Sequence, residues 1–262
     1  MEIQFKDLNG KWALILGASS GFGGATALRL AQAGMNICGV HLDRKATMDQ
    51  VESLKTKILE TKREALFFNI NAADPEARAE VLKQLVERKA SIHVLFHSLA
   101  FGALKPFISE DPINQKQIEM TLDVMANSLV YWTQDVVKNK LFENGGRVYA
   151  MTSAGSSRVW KNYGAVSAAK CALESYIRQL SLELAPMKIT ANAICAGVTD
   201  TPALRKIPGN DMMIEMATSR NPSKRLTTPE DIANATVALS LPHMGWMTGN
   251  VLNIDGGEII SD

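Results

Sequence analysis

"WALILGASSGFGGATALRLAQAG", residues 12–34, is the stretch that decides the fold. Five apolar residues, Trp12–Leu16, run into a glycine-rich turn. The turn opens directly into a segment whose apolar residues recur at helical spacing. A run with no polar alternation is what a strand covered on both faces requires. Strand, tight turn and helix in that order make the first half of a βαβ unit.

Working outward, the same alternation recurs. "NICGVH" (36–41), "ALFFN" (65–69), "IHVLFH" (92–97), "RVYAMT" (147–152), "ITANAIC" (189–195) and "VLNID" (251–255) predict six further strands. Helical spacing fills the intervals at 46–62, 75–89, 113–139, 163–185 and 229–240, several of them opening on proline or ending near glycine. The prediction is an α/β chain: a single-domain, doubly wound, Rossmann-type parallel sheet of about seven strands with helices on both faces. No repeat, low-complexity tract or linker divides residues 1–262. The irregular part is 199–226, with Pro202, Pro208, Pro222 and the apolar "MMIEM". A long insertion of this kind is either a lid over a site or a surface excursion with one amphipathic turn.

Hydrophobic residues make up 46% of the 262 and charged residues 21%, which suits a well-packed soluble domain. No apolar run is long enough to span a membrane. The N-terminus shows neither a basic leader nor a cleavage site, so a cytoplasmic protein is expected. A formal net charge of +1 gives no reason to propose nucleic acid as partner. Cys38, Cys171 and Cys195 are scattered and odd in number, which suits a reducing compartment and a small buried apolar role for each. The four histidines have no metal-site spacing, so no metal is expected.

In the first turn, Gly17, Gly21 and Gly23 are spaced G-x-x-x-G-x-G. Glycines here let the backbone approach a pyrophosphate that then meets free N–H groups at a helix N-terminus. The plainer reading is a tight turn with close helix–strand packing, but its place after the first strand of a βαβ unit favours a dinucleotide. At the tip of the second strand the usual acid position falls nearest His41. Arg44 and Lys45 follow and suit a 2′-phosphate, which favours NADPH; Asp43 is the contrary residue, suited to a ribose and NADH.

"YGAVSAAK" (163–170) joins Tyr163 to Lys170. At about 100° per residue a separation of seven leaves the two side chains about 20° apart. At about 1.5 Å rise it sets them about 10.5 Å apart along the axis. Lys170 lies between Ala168, Ala169, Cys171 and Ala172, an apolar setting unusual for a solvated lysine.

Together, the glycine turn, the Tyr–Lys pair and the C-terminal "NIDGG" resemble the short-chain dehydrogenase/reductase family over almost the whole chain. Most members hold the lysine four residues after the tyrosine; Ser167 stands there instead. "HSLAFG" (97–102), the wider Tyr–Lys spacing, and Met125 where many members carry a relay asparagine are similar to the enoyl-acyl-carrier-protein (ACP) reductase branch. "AGVTDTPALRKIPGNDMM" and "NPSKRLTTPEDIA" are most similar to its NADPH-using type III enzymes.

The resemblance implies that Tyr163, Lys170 and Ser153 are catalytic. Ser153 has a plainer reading as a strand-end serine satisfying local backbone. The resemblance also implies a cofactor cleft formed by Gly17, Ser19, Ser20, Gly21, Phe22 and Gly23 in the first turn, with His41 and Arg44 at the second strand's tip. Asn71 and Ala72 would follow the third strand, and Ser98, Leu99 and Ala100 the fourth. Thr152 and Lys170 would flank the nicotinamide, with Gly197, Val198, Thr199 and Thr201 beyond the sixth strand.

Enoyl reduction puts hydride on the β-carbon and charge on the thioester oxygen two carbons away, which suits a tyrosine displaced by one turn. The Lys170 ammonium is expected to favour the tyrosinate. The implied reaction is reduction of trans-2-enoyl-ACP by NADPH in fatty-acid elongation, by a homotetramer pairing through 113–139 and 163–185. Lys105, Arg205, Lys206, Lys224 and Arg225 are expected near the mouth, either to attract the acidic carrier protein or as part of an ordinary mixed surface. The Met-rich 212–216 segment would line an acyl pocket. Competing readings are a 3-oxoacyl or other carbonyl reductase, and an inactive dinucleotide-binding regulator.

Overall fold

A computed structural model describes residues 6–261. Its seven strands are β1 (Trp12–Leu16), β2 (Asn36–His41), β3 (Ala65–Asn69), β4 (Ile92–His97), β5 (Phe142–Ser153), β6 (Thr190–Ala196) and β7 (Val251–Ile254). They form one sheet of order β3-β2-β1-β4-β5-β6-β7, with every neighbouring pair parallel. The chain winds outward from β1 to β3, then returns to place β4 on the other side of β1. That reversal opens a crevice above the carboxyl ends of β1 and β4, where doubly wound sheets bind ligands.

Helices cover both faces. They are α1 (Gly21–Gln32), α2 (Met48–Glu60), α3 (Pro75–Glu87), α4 (Gln115–Leu122), α5 (Ser128–Lys138), α6 (Gly164–Glu183), α7 (Asn210–Arg220) and α8 (Pro229–Leu239). One core joins Leu14, Leu95 and Ala150 to Trp132 of α5 and Ala169, Leu173 and Ile177 of α6. The opposite core joins Ile15, Phe96 and Tyr149 to Leu30 of α1 and Ile232 of α8. β1 is buried throughout, as its all-apolar sequence requires.

Three details differ from the sequence expectation. β5 begins at Phe142 rather than 147, because Phe142 pairs with Ile92 before the register shifts and Gly145, at φ +86°, absorbs the irregularity. The single helix expected over 113–139 is interrupted by a π-turn at Asp123–Asn127. Cys171 is exposed, its thiol directed at the Ser156 carbonyl at 3.2 Å, whereas Cys38 and Cys195 are buried. No described helix is long and apolar enough to cross a membrane.

Candidate active site

The glycine turn is packed too tightly for any side chain. A Cβ on Gly17 (φ +88°) would lie 2.3 Å from the Ser98 carbonyl oxygen, and one on Gly23 would lie 2.0 Å from that of Gly17. The N–H groups of Gly17 and Ala18 both donate to the Val40 carbonyl, at 2.8 and 3.0 Å, clamping the turn to β2. Ser20 is the N-cap of α1, yet its side chain makes no cap hydrogen bond. The first N–H groups of a twelve-residue helix therefore point into the crevice without a capping side chain. Those donors fit a pyrophosphate. Gly21 lies beneath Thr201, whose methyl would be 3.6 Å from an added Cβ. Leu99 closes the turn from the β4 side and Phe22 packs into the α1-side core. These residues fit a nicotinamide dinucleotide.

At the tip of β2, His41 and Asp43 pair. His41 is buried, and its Nδ1 pairs with Asp43 Oδ2 at 2.9 Å. Thr47 Oγ1 donates to Asp43 Oδ1, also at 2.9 Å. Burial pushes the Asp43 carboxyl up, but hydrogen bonds from Ser19, Thr47 and His41 outweigh it and hold the group below the ordinary carboxylate range. β2 ends at His41, and Asp43 follows it with its carboxylate tied to His41 and Thr47. Arg44 is exposed and forms no ion pair or side-chain hydrogen bond among the described residues. Beyond β3, Asn71 Oδ1 accepts the Ala73 N–H (3.0 Å) and the Ala72 carbonyl accepts Trp132 Nε1 (2.8 Å).

The end of β5 is read by one face of α6. Lys170 is buried, and its Nζ donates to the Met151 carbonyl at 2.7 Å. Thr152 Oγ1 donates to Glu174 Oε1 at 2.6 Å. Tyr163, the N-cap of α6, lays its ring against Gly155, where a Cβ would meet Cε1 at 2.6 Å. Asn162 precedes it in the left-handed region (φ +63°), a conformation asparagine tolerates, and so turns the chain into α6.

Ser153 bonds local backbone and also lies beside the Tyr163 phenol. Its Oγ accepts the Gly155 N–H (3.3 Å), and its hydroxyl is the side chain that favours the Tyr163 phenolate. Burial nonetheless dominates and raises the Tyr163 pKa above that of an ordinary tyrosine. The expected lowering by Lys170 is not seen: the ammonium is tied to Met151 two helical turns away, and Ser153 is the neighbour that acts on the phenol. Ser167, in the position four after the tyrosine, bonds to the Gly155 carbonyl instead and pins the 154–157 turn to α6. Burial lowers the Lys170 pKa to about 8, against opposing contributions from Cys195 and Glu174.

Glu174 was not singled out from sequence, although its place four residues after Lys170 sets it on the same face. Gly102 and Gly164 were also missed. A Cβ on Gly102 would meet Met125, Thr121 and Val166 within 2.9 Å, and one on Gly164 would meet the Phe107 ring at 2.6 Å. The loop after β4 therefore lies against the start of α6, beside Tyr163.

At the far side, Gly197 leads from β6 into Val198, whose N–H donates to Glu258 Oε2 (2.9 Å). Thr199 is buried, with Oγ1 on the Gly197 carbonyl (2.9 Å). The 199–226 stretch contains α7, in which only Ala217 is buried; Met212 is 61% exposed. Trp160 Nε1 joins this stretch to the 154–160 loop through the Pro208 carbonyl (3.4 Å). The basic side chains expected to attract a partner are largely engaged internally: Lys105 pairs with Asp111, Arg205 with Asp200, Arg225 with Asp231, and Lys224 Nζ donates to the Ser219 carbonyl. Among the described residues no cluster of metal-ligating groups occurs.

The chain is similar to known proteins over nearly its whole length. The family described as Enoyl-(Acyl carrier protein) reductase matches residues 17–258. The 3-oxoacyl-[acyl-carrier-protein] reductase FabG of Buchnera aphidicola subsp. Schizaphis graminum is 26% identical over 250 residues, covering 94% of this chain and 96% of the relative. The 1-cyclohexenylcarbonyl-CoA reductase of Streptomyces collinus is 26% identical over 247 residues, covering 94% and 85%. The crystal structure of FabI from Candidatus Liberibacter asiaticus superposes with a TM-score of 0.85 at 25% identity, over 97% of this chain and 96% of that one.

Proposed function

Because the chain belongs to the Enoyl-(Acyl carrier protein) reductase family of short-chain dehydrogenase/reductase oxidoreductases, we propose that it reduces the 2,3 double bond of a trans-2-enoyl thioester carried on ACP. The observation that carries this reading is the position of the tyrosine. Tyr163 is the N-cap of α6, beside Ser153 and two turns from Lys170, while Ser167 fills the intervening position. A nicotinamide dinucleotide, when bound, supplies the hydride.

This chain's residues do the rest. The uncapped N-terminus of α1 holds the pyrophosphate, and Lys170 bonds the nicotinamide-side ribose while fixed to Met151. Tyr163, protonated because burial raises its pKa, donates its O–H to the oxygen on which the enolate charge develops. Ser153 sets the direction of that O–H. The dinucleotide is NADPH on this reading, its 2′-phosphate met by the exposed Arg44 and Lys45. The Asp43 carboxylate beside Ser19 is the observation that supports NADH instead. Assembly as a homotetramer through α4–α6 belongs to the same proposal.

Carbonyl reduction of a 3-oxoacyl thioester is the second reading. It is favoured by the Ser153 hydroxyl acting on Tyr163 and by the FabG relative. Oxidation of NADPH and of NADH, each with crotonyl and with acetoacetyl thioesters, separates the readings. Turnover of the crotonyl substrate with little of the acetoacetyl supports enoyl reduction.

A further inference from the structure

His97 ends β4 and is fully buried. It does not cap the turn that follows. Its Nε2 lies 2.9 Å from Ser128 Oγ, and that hydroxyl donates its only proton to the Val124 carbonyl at 2.8 Å. With its proton on Val124, Ser128 accepts from the ring, and this arrangement assigns the hydrogen to Nε2. Nδ1 is left as a bare lone-pair acceptor, buried, with no protein partner. Leaving such an acceptor unsatisfied is costly.

Lys170 lies on the same side of the sheet. β4 pairs with β5 through His97 opposite Ala150, and Lys170 Nζ is bonded to the next carbonyl, that of Met151. Ala150 and Leu95 on the strands, and Ala169 and Leu173 of α6, belong to one core. Met151 is the one hydrogen-bond acceptor that Lys170 has among the described residues, although an ammonium has three donors. Two partly unsatisfied groups, one donor and one acceptor, thus share a buried corner without a direct bond.

We propose that His97 Nδ1 and Lys170 Nζ hold one water molecule between them, and that His97 is thereby a positioning residue that keeps Lys170 protonated and aimed into the cleft. Burial and the charge of Lys170 together lower the His97 pKa to about 3, so the ring stays neutral and its lone pair stays available. The other titratable groups acting on Lys170 are Glu174 on α6 and Cys195 on β6. Cys195 is held as a neutral thiol by burial, its pKa raised to about 12, and Glu174 is occupied by the Thr152 hydroxyl. The inference rests on the reading of Lys170 as a site residue but not on which substrate is reduced.

The test compares two variants. Asparagine places an amide oxygen at the level of Nδ1 and loses the bond to Ser128; glutamine reaches Ser128 and lacks the Nδ1 acceptor. The side-chain ¹³Cε resonance of Lys170, assigned by its loss in Lys170→Met, is titrated in the cofactor-free protein. Wild type and His97→Asn are expected to share a midpoint, while His97→Gln falls about one pH unit lower, the size of one hydrogen bond to a charged group. Equal midpoints in His97→Gln and wild type, or equal shifts in both variants, overturn the proposal. Histidine ¹⁵N spectra of the wild type provide a check that needs no variant. The Nε2–H tautomer is expected at His97, and the Nδ1–H tautomer overturns the proposal. Neither readout uses turnover, so failure of the enoyl reading leaves both results interpretable.

Discussion

Replacing Lys170 by methionine should stabilise the protein while abolishing its activity. A buried ammonium is costly, and here burial moves the group from an ordinary lysine's 10.5 to about 8. At about 1.4 kcal/mol per pH unit the gap corresponds to about 3 kcal/mol of destabilisation at neutral pH. Methionine removes that cost but leaves the Met151 carbonyl without its donor, which returns about 1 kcal/mol. The net gain is about 2 kcal/mol. Unfolding entropy of about 2.1 cal/mol/K per residue over this chain turns the gain into about 4 °C in Tm. The sign depends on pH. The folded protein binds fewer protons than the unfolded chain between pH 8 and 10.5, so the wild-type penalty is full below about pH 8 and fades as pH rises toward 10.5. Thermal unfolding of wild type and Lys170→Met by circular dichroism at pH 7 and pH 10 checks this. The variant should lead clearly at pH 7 and lose most of its lead at pH 10. A variant less stable than wild type at pH 7, or a pH-independent difference, refutes the reasoning.

The remaining predictions concern the site. Tyr163→Phe should lower kcat about 10²- to 10³-fold, the loss of one preorganised donor to an oxyanion, with dinucleotide affinity measured by fluorescence unchanged. Asn162→Gly should keep near-wild-type kcat, whereas Asn162→Val, which cannot hold φ +63° without strain, should lose most of it. Arg44→Ala should weaken NADPH binding about 10- to 100-fold in calorimetry and leave NADH unaffected; equal effects on both would show that Arg44 does not read a 2′-phosphate. Gly155→Ala should displace the Tyr163 ring, which the new methyl would meet at 2.6 Å, and lower kcat more than it lowers Tm.

The fold was legible because its strands are almost wholly apolar and its first turn needs glycine. Trp12–Leu16, with no polar position, is intelligible only as a strand covered on both faces. The π-turn at Asp123–Asn127 was hidden because an extra residue in a helical turn leaves the apolar spacing nearly intact over one or two turns. Tyr163 and Lys170 were legible as a pair through the family resemblance, with a separation that sets them on one helix face. What each side chain touches was not. Whether Lys170 approached Tyr163 or Met151 depended on where β5 ended, and the start and pairing of β5 turned on the irregularity at Gly145. Counting along β2 put His41 nearest the ribose position with Asp43 as the contrary residue, but it could not show that the two side chains pair with each other. Charge counting alone did not show that Lys105, Arg205 and Arg225 each pair with an aspartate within six residues in sequence, Asp111, Asp200 and Asp231.

The central claim is that the displaced tyrosine serves a double bond conjugated to a thioester. It is tested most directly by offering crotonyl and acetoacetyl thioesters of the same carrier protein together, in equal amounts, with NADPH or NADH, and identifying the products by mass spectrometry. The geometry predicts that butyryl thioester accumulates first and in excess. Accumulation of 3-hydroxybutyryl thioester while the crotonyl substrate persists would contradict it.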